Sequence, residues 1–444
     1  MRRNAAALFL IVLLTRLPFL GPGFGADADA WRIAGAARTI AAEGHYVASR
    51  FPGAPLVEIA DSLLLPVGPW TLPLASALWG AIGVVAFYLA LCRLGARGCF
   101  WAALALAFTP VFWIHSTDAM DYAWALGLAL VGLAFAVYGR PTLAGLAIGL
   151  AIGCRITSAA FLVPIGLLLV GSRARFLVAA ALAAGLALAP SFLTYATRFL
   201  SGYEFGRVPR IFVVKAATRD VWGVIGTVAV GVATLFALTR IRSVPERERW
   251  AILSAIVLFG GLFLRLPHDG AYLLPILPFV LLLFVRTLPR PMLVAFAIAM
   301  ASSSLVLHLV EVDASSKDRI PFAGRFLDVR LGGPMFAERR QRLDHQQIRD
   351  QIVARANALP SRAIVLVYEQ MPALLWVAPT GRIATTEIVH LLDREALGQA
   401  RREGRPIFAT QDAIQAEWAV YGVSRRELDA QLIIEPRLPE READ

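Results

Sequence analysis

Charge is scarce in this sequence. Only 17% of its 444 residues are Asp, Glu, Lys or Arg, where a soluble chain carries about 25%. Lysine is nearly missing. Lys215 and Lys317 are the two in the chain, and the Arg-rich balance points to a GC-rich genome and to nothing mechanistic. Cysteine is limited to Cys92, Cys99 and Cys154, with no Cys-x-x-Cys and none in the polar C-terminal region. Neither a disulfide framework nor a zinc site is indicated. No internal repeat is visible, and the C-terminal region has no Gly-rich phosphate loop.

Apolar residues are what the chain has, at 58% of the total. They gather in runs at about 5–21, 70–92, 99–115, 122–138, 142–154, 156–171, 176–195, 221–239, 250–266, 272–286 and 291–310. Several are long enough to cross a bilayer, and helix is the state that satisfies the backbone in lipid. This is an α-helical polytopic membrane protein of about 10–11 membrane helices, by composition and patterning alone. The formal net charge of +11 does not indicate nucleic acid, because much of the arginine sits in short loops between apolar runs. Arg2-Arg3 and the apolar core that follows fit a signal peptide loosely, but Arg16 interrupts the run. A retained first helix is expected, with Arg16 near its outer end, where a cation snorkels or meets a phosphate.

The runs 142–154 and 156–171 decide the topology. As one helix of 30 residues they would span about 45 Å at about 1.5 Å per residue, too long for a hydrocarbon core of about 30 Å. A hairpin with Arg155 at its tip is expected. With Arg2-Arg3 inside, the inner loops are then 93–97, 139–140, 172–175, 239–249 and 286–290, all basic. The outer loops are 22–69, 116–121, the Arg155 tip, 196–220 and 267–271. Loop 196–220 is itself basic, with Arg198, Arg207, Arg210, Lys215 and Arg219 against Glu204 and Asp220. An anionic headgroup or a phosphate explains such an outer loop, as does ordinary contact with anionic lipid.

Polarity rises after Val310. The expected division is a membrane domain over 1–311, with a large first outer loop at 22–69, and a small soluble α/β domain over 312–444. Within the latter, Asp344–Leu359 reads as an amphipathic helix. Ala363–Tyr368, Pro406–Thr410 and Gln431–Ile434 read as strands, and Leu391–Arg402 and Gln411–Ala419 as helices. A cap or docking role is the simplest one for it. On the expected topology it lies on the side of the first outer loop, outside the cytoplasm.

Three clusters carry groups able to do chemistry. Asp27 and Asp29 open the first outer loop, in Gly25-Ala26-Asp27-Ala28-Asp29-Ala30-Trp31. Carboxylates at a membrane mouth face water, a metal or a substrate. One can serve as general base, and the pair can hold a divalent metal such as Mg or Mn. Both can equally cap the helix that starts near Ala30. His115-Ser116-Thr117-Asp118-Ala119-Met120-Asp121-Tyr122 is the second cluster, open to helix capping or to substrate contact. Pro267-His268-Asp269-Gly270-Ala271-Tyr272 is the third. It leads into a helix that Pro275 and Pro278 kink, and His268 there can meet a phosphate or serve as a polar turn.

Taken in order, several stretches resemble the GT-C superfamily of polytopic glycosyltransferases, including bacterial relatives of the protein O-mannosyltransferases and of the lipid A aminoarabinose transferase. They are Thr15-Arg16-Leu17-Pro18, Ala26–Trp31, Phe51-Pro52-Gly53-Ala54-Pro55-Leu56-Val57-Glu58, Asp118 with Asp121, Ala144–Ala151 leading to Arg155, and Pro267–Pro275. The resemblance covers roughly residues 1–310. It implies a polyprenyl-phosphate sugar as donor and a site on the outer face of a bacterial inner membrane. It also implies an acidic residue of the first outer loop as base or metal anchor, a role that falls on Asp27 or Asp29. Many members show adjacent Asp-Glu where this chain has Asp-x-Asp. Inversion at the sugar is implied in the same way. Arg155, Arg207, Arg210 and His268 become candidates for the donor phosphate, with Arg16, Arg50, Asp118, Asp121, Asp269 and Tyr272 as further substrate contacts. Other partners are membrane lipids and an acceptor that is a lipid, glycan or protein, with no nucleic acid. Two other classes stay open, a transporter or flippase of lipid-linked sugars and a non-enzymatic membrane scaffold.

Overall fold

In a computed structural model the described residues are 1–196, 210–267, 269–312, 320–322, 325–410, 413 and 433–434. The chain divides into two compact units. The first comprises Met1–Gly21 and Ala36–Glu338, and the second Pro22–Gly35 and Arg339–Asp444. The segment that carries Asp27 and Asp29 thus clusters with the C-terminal residues, and the division falls at Glu338.

The first unit is a helical bundle. Among the described residues, Thr71–Arg93, Arg173–Tyr195, Arg219–Thr239 and Gly270–Thr287 are long and apolar enough to cross a membrane. Five shorter apolar helical segments join them: Cys99–Phe108, Asp121–Val137, Pro141–Cys154, Ile156–Leu168 and Arg290–Leu305. Large apolar side chains stay exposed along their outer faces, among them Leu182, Leu186 and Leu193. Such a surface suits lipid rather than water.

The apolar run 99–115 is broken in the middle. Thr109 is extended (φ −65°, ψ 127°), and Pro110 restarts a short helix, Pro110–His115. The residue before a proline is pushed out of the α region, which accounts for the break. The hairpin is present. Helix Pro141–Cys154 ends at an extended Arg155, and a 3-10 turn, Ile156–Phe161, begins the return. Gly145, Gly149 and Gly153, four residues apart, face helix Arg173–Tyr195. A Cβ on Gly149 would meet the Ala183 Cβ at 2.5 Å and the Ala184 nitrogen at 2.8 Å. Small residues at this spacing let two backbones approach where no hydrophobic effect drives helices together in lipid.

The loops sort by end. Arg286 donates to both carboxylate oxygens of Glu248 and to the Leu94 carbonyl (2.7 Å). Arg247 donates to the Leu169 carbonyl at 2.9 Å. Residues in or beside four of the five inner loops therefore meet at one end. After helix Arg290–Leu305 the chain turns into a three-stranded antiparallel sheet of Leu307–Val312, Arg325–Leu331 and Ile320–Phe322, in that spatial order. The helix expected over the apolar run 291–310 therefore ends at Leu305, and the rest of the run is strand.

The second unit is α/β. Among the described residues its strands stand in the order Arg382–Ile383, Thr386–His390, Ile364–Val367, Ile407–Thr410, Ile433–Ile434. The central three are parallel. Alternate residues of the central strand feed two cores. Val365 and Val367 join Ile352, Leu374, Ile388 and Phe408, while Ile364 and Leu366 join Val389, Leu391 and Ala400. Among the described residues its helices include Met371–Val377, Arg394–Arg402 and the part of Pro334–Ala356 from Arg339 on. The helix expected over Gln411–Ala419 falls outside the described residues, apart from Ala413. Phe24 from the first loop packs edge-on to Trp376 at 4.7 Å, and Arg349 lies 5.6 Å from the Trp31 ring.

Candidate active site

Asp121 is the hub of the first unit's polar end. It occupies the first turn of helix Asp121–Val137, where a negative charge meets the positive end of the helix dipole. Its side chain is only 4% exposed. Two arginines reach it. Arg50, from the first outer loop, donates to Oδ1 at 3.0 Å. Arg155, from the hairpin tip, donates through Nη1 to Oδ2 at 3.0 Å and to Oδ1 at 3.2 Å. A buried carboxylate is tolerable in such company, because both oxygens are satisfied by charged donors.

Aromatic rings frame the second arginine. The Arg155 guanidinium lies 4.1 Å from the centre of the Tyr122 ring and 5.2 Å from that of Tyr272. It also donates to the Tyr122 hydroxyl at 3.3 Å, and that hydroxyl donates to Asp269 at 3.2 Å. The other Asp269 oxygen caps the following 3-10 turn through the Ala271 nitrogen at 2.9 Å. His115 lies against Tyr122, ring centres 4.5 Å apart, and its Nδ1 is 2.8 Å from Asp118. The second Asp118 oxygen, Oδ1, is buried and has no hydrogen-bond partner among the described residues. Residues from loops 22–69, 116–121, the hairpin tip and 267–271 thus form one cluster, as the outer-loop assignment requires.

A second layer fixes the loop that carries Arg50. Glu58, on helix Pro55–Leu64, accepts from the Tyr46 hydroxyl (2.6 Å), the Ser49 nitrogen (2.7 Å), the Ser49 hydroxyl (2.5 Å) and the Ala54 nitrogen (3.1 Å). Four donors on one buried carboxylate tie residues 46–54 to the helix, with Arg50 in the middle. Burial is the largest influence on the Glu58 carboxyl and raises it, against the lowering by these hydrogen bonds. Burial, and then the Glu58 charge, raises the Tyr46 hydroxyl. Gly53 closes the same loop at φ +90°, and a Cβ there would collide with the Tyr46 and Ser191 hydroxyls. Asp61, one turn beyond Glu58, is 1% exposed, and its Oδ1 has no hydrogen-bond partner among the described residues.

Each of the other sequence candidates has its own immediate surroundings. Asp27 caps helix Ala28–Glu43, its Oδ1 accepting from the Asp29 nitrogen at 2.7 Å. Asp29 pairs with Arg32 at 2.7 Å. Both belong to the second unit. Arg16 does not snorkel. It is fully buried, 4.8 Å from the Trp113 ring centre, and it donates to the Ser116 hydroxyl at 3.1 Å. Trp113, Phe108 and Ser116 offer it a cation–π and hydrogen-bonding site inside the bundle. Arg210 opens helix Arg210–Ala217, and Arg207 and His268 lie outside the described residues. The structural part of Glu58, and Asp61 altogether, escaped sequence reading. The available signal was two acids three residues apart in an otherwise apolar stretch led by Pro55.

A divalent metal at Asp27 and Asp29 finds little support in their surroundings, since one carboxylate is a cap and the other meets an arginine. Among the described residues no group of three or more His, Cys, Asp or Glu side chains is placed to hold a metal ion.

No family model and no curated protein sequence matches this chain. Two solved structures do match its fold. One is the crystal structure of ArnT from Cupriavidus metallidurans in the apo state, at 14% identity over 94% of each chain with a TM-score of 0.56. The other is ArnT from the same organism bound to undecaprenyl phosphate, at 15% identity over 94% of each chain with a TM-score of 0.53. Along nearly its whole length the chain therefore has the fold of ArnT, the polytopic architecture that its sequence resembles.

Proposed function

We propose that this protein is a membrane glycosyltransferase that moves a sugar from a polyprenyl-phosphate donor to a lipid, glycan or protein acceptor. The reaction takes place on the outer face of a bacterial inner membrane. The observation that carries the reading is the pair Arg50 and Arg155 on Asp121, assembled from separate loops at one end of an ArnT-like bundle. Two arginines that converge from separate loops offer the charged donors that suit the phosphate of a phosphodiester. Undecaprenyl phosphate bound to ArnT is a ligand of the same chemistry.

In the transfer, an acceptor oxygen or nitrogen bonds to the anomeric carbon. The bond from that carbon to the phosphate oxygen breaks, and its electron pair leaves with the polyprenyl phosphate. The leaving group gains a negative charge, so Arg50 and Arg155 stabilise it more in the transition state than in the ground state. No strong acid is needed. The acceptor proton passes to a carboxylate, a role we assign to Asp27 or Asp29 from their place in the first loop and their chemistry. A single displacement of this kind inverts the anomeric centre.

The test is transfer of radiolabelled sugar from a polyprenyl-phosphate donor pool in membrane vesicles at equal expression. Wild type is compared with Arg155→Ala, Asp27→Asn and Asp29→Asn. Arg155→Ala and one of the two Asn variants should lose transfer by about 100-fold or more, the lower end of general-base effects. Wild-type activity shared by all three variants would remove both assignments. No transfer in wild type, with movement of intact lipid-linked sugar across the vesicle membrane, would establish a transporter instead.

A further inference from the structure

Helix Arg290–Leu305 starts a membrane crossing that it is too short to finish. Its 16 residues span about 24 Å at about 1.5 Å per residue, against a hydrocarbon core of about 30 Å. Past Leu305 the chain turns into the strand Leu307–Val312, which pairs with Arg325–Leu331. Two glycines fasten the join. Gly332 donates to the Val306 carbonyl and Gly333 to the Leu305 carbonyl, each at 2.8 Å. His308 Nδ1 donates to the Gly332 carbonyl. A Cβ on Gly333 would collide with the Ser304 carbonyl. The sheet is thus held flush against the helix end, and the last helical carbonyls are satisfied there without water.

Register gives the sheet two unlike faces. Residues directly opposite in an antiparallel ladder share a face. Leu307 with Leu331 and Leu309 with Val329 therefore make one face. The other carries Arg330 and Asp328, which form an ion pair at 3.1 Å. On the apolar face Leu331 is 84% exposed and Val329 48%. No large apolar side chain among the described residues is more exposed than Leu331.

We propose that this face lies at the acyl–headgroup boundary of the leaflet on the Arg155 side, with bulk membrane lipid as its partner, and completes the crossing that the helix begins. Three observations support lipid as the occupant. The shortfall of about 6 Å falls within the depth of about 5–10 Å to which an interfacial apolar face sinks. The face continues the lipid-facing surface, since Ile298 on the helix and Val306 at its end are exposed as well. Arg219, which donates to the Leu309 carbonyl at 3.4 Å and pairs with Asp220, and Arg330 with Asp328 supply the polar rim that an interfacial element keeps at headgroup level. The end is fixed by Gly270, which abuts the Ala216 carbonyl and Asp220, next to Arg219. A bundle that spans the bilayer is the sole requirement, whatever reaction it catalyses.

Nitroxide labels on single introduced cysteines read the boundary in the full-length protein, in nanodiscs of phosphatidylethanolamine and phosphatidylglycerol. Cys99 and Cys154 are buried, and Cys92→Ser removes the partly exposed third thiol. Power saturation compares access of apolar oxygen with access of a polar nickel chelate. The oxygen-to-nickel ratio should be about threefold or more higher in Val329→Cys and Leu331→Cys than in Arg330→Cys, for side chains sunk about 5–10 Å into the interface. Leu186→Cys, at an exposed position of helix Arg173–Tyr195, sets the value for lipid.

Equal ratios at 329, 330 and 331 would show a sheet with no lipid-facing side and overturn the proposal. Spin–spin broadening in Leu331→Cys that dilution with unlabelled protein removes would assign the face to a second copy and overturn it too. A nickel-accessible Leu186→Cys would remove the membrane-spanning bundle and the anchor together.

Discussion

The guanidinium of Arg155 lies 3.0 Å from the carboxylate of Asp121, although a helix and a hairpin arm separate the two along the chain. Asp121 is buried and Arg155 largely so, with side chains 4% and 16% exposed. Removing one member of a buried pair leaves the other uncompensated, at a cost of about 3–5 kcal/mol. Arg155→Ala should therefore lower the unfolding midpoint strongly, and Asp121→Ala should do the same, since it strands Arg50 and Arg155 together. The double variant should lose less than the sum of the two single losses, because Arg50 alone is then left without its carboxylate. Thermal unfolding of the purified protein in one detergent checks this. Strictly additive losses would mean that the pair is not energetically coupled.

Much of this arrangement is legible in the sequence, and the reasons for the rest are physical. The length of the bilayer alone argues for the hairpin at Arg155, and the hairpin then puts Arg50, Asp121, Arg155 and Asp269 at one end. What sequence cannot give is pairing. Asp121 and Asp118 look alike in the string, yet one takes two arginines and the other a histidine. Arg16 reads as a snorkelling residue because its aromatic partners, Phe108 and Trp113, are about a hundred residues away. The strand Leu307–Val312 hides in the tail of an apolar run, and its partner Arg325–Leu331 mixes charged with apolar residues. Thr386–His390, an inner strand of the second sheet, lacks a strong apolar run and escapes as well.

Helix contact through glycine gives a second prediction. Gly149→Ala places a methyl against Ala183 and the Ala184 nitrogen, inside van der Waals distance. The helices Pro141–Cys154 and Arg173–Tyr195 must then separate, and overpacking of this kind costs about 1–3 kcal/mol. Gly185→Ala is the internal control. It lies on the partner helix, and nothing stands within 4 Å of its added Cβ. There the substitution should be neutral or stabilising by about 0.5–1 kcal/mol, since alanine favours helix over glycine. Equal destabilisation by both variants would show that helix flexibility, and not contact, is what the glycines provide.

The cap of the first-loop helix separates structure from chemistry at Asp27. Its Oδ1 accepts from the Asp29 nitrogen at the start of Ala28–Glu43. Asn caps about as well as Asp, while Ala loses about 1 kcal/mol. Hydrogen exchange in the first turn of that helix should speed up in Asp27→Ala, by about fivefold for that energy, and stay near wild type in Asp27→Asn. A loss of transfer in Asp27→Asn with exchange unchanged then reports on the carboxylate's charge and basicity. Faster exchange in both variants would mean that the negative charge itself holds the helix end.

Asp61 gives the protein a pH dependence with a definite sign. Burial, with the charge of Glu58 beside it, raises its carboxyl well above the ordinary value. The folded protein then holds the Asp61 proton more tightly than the unfolded chain does. Between the two pKa values the folded state carries the extra proton, so stability falls as pH rises. The window opens near the ordinary Asp value of about 3.9 and runs up to the raised value in the folded protein. Asp61→Asn keeps the shape, removes the titration and should flatten the decline, so that the variant gains on wild type as pH rises through the window. Some slope should remain, because Glu58 is raised as well. The unfolding midpoints of wild type and Asp61→Asn, measured in one detergent from about pH 5 to about pH 8, give the comparison. Curves that stay parallel would show that Asp61 is ionised in the folded protein and holds its charge through a donor brought by water.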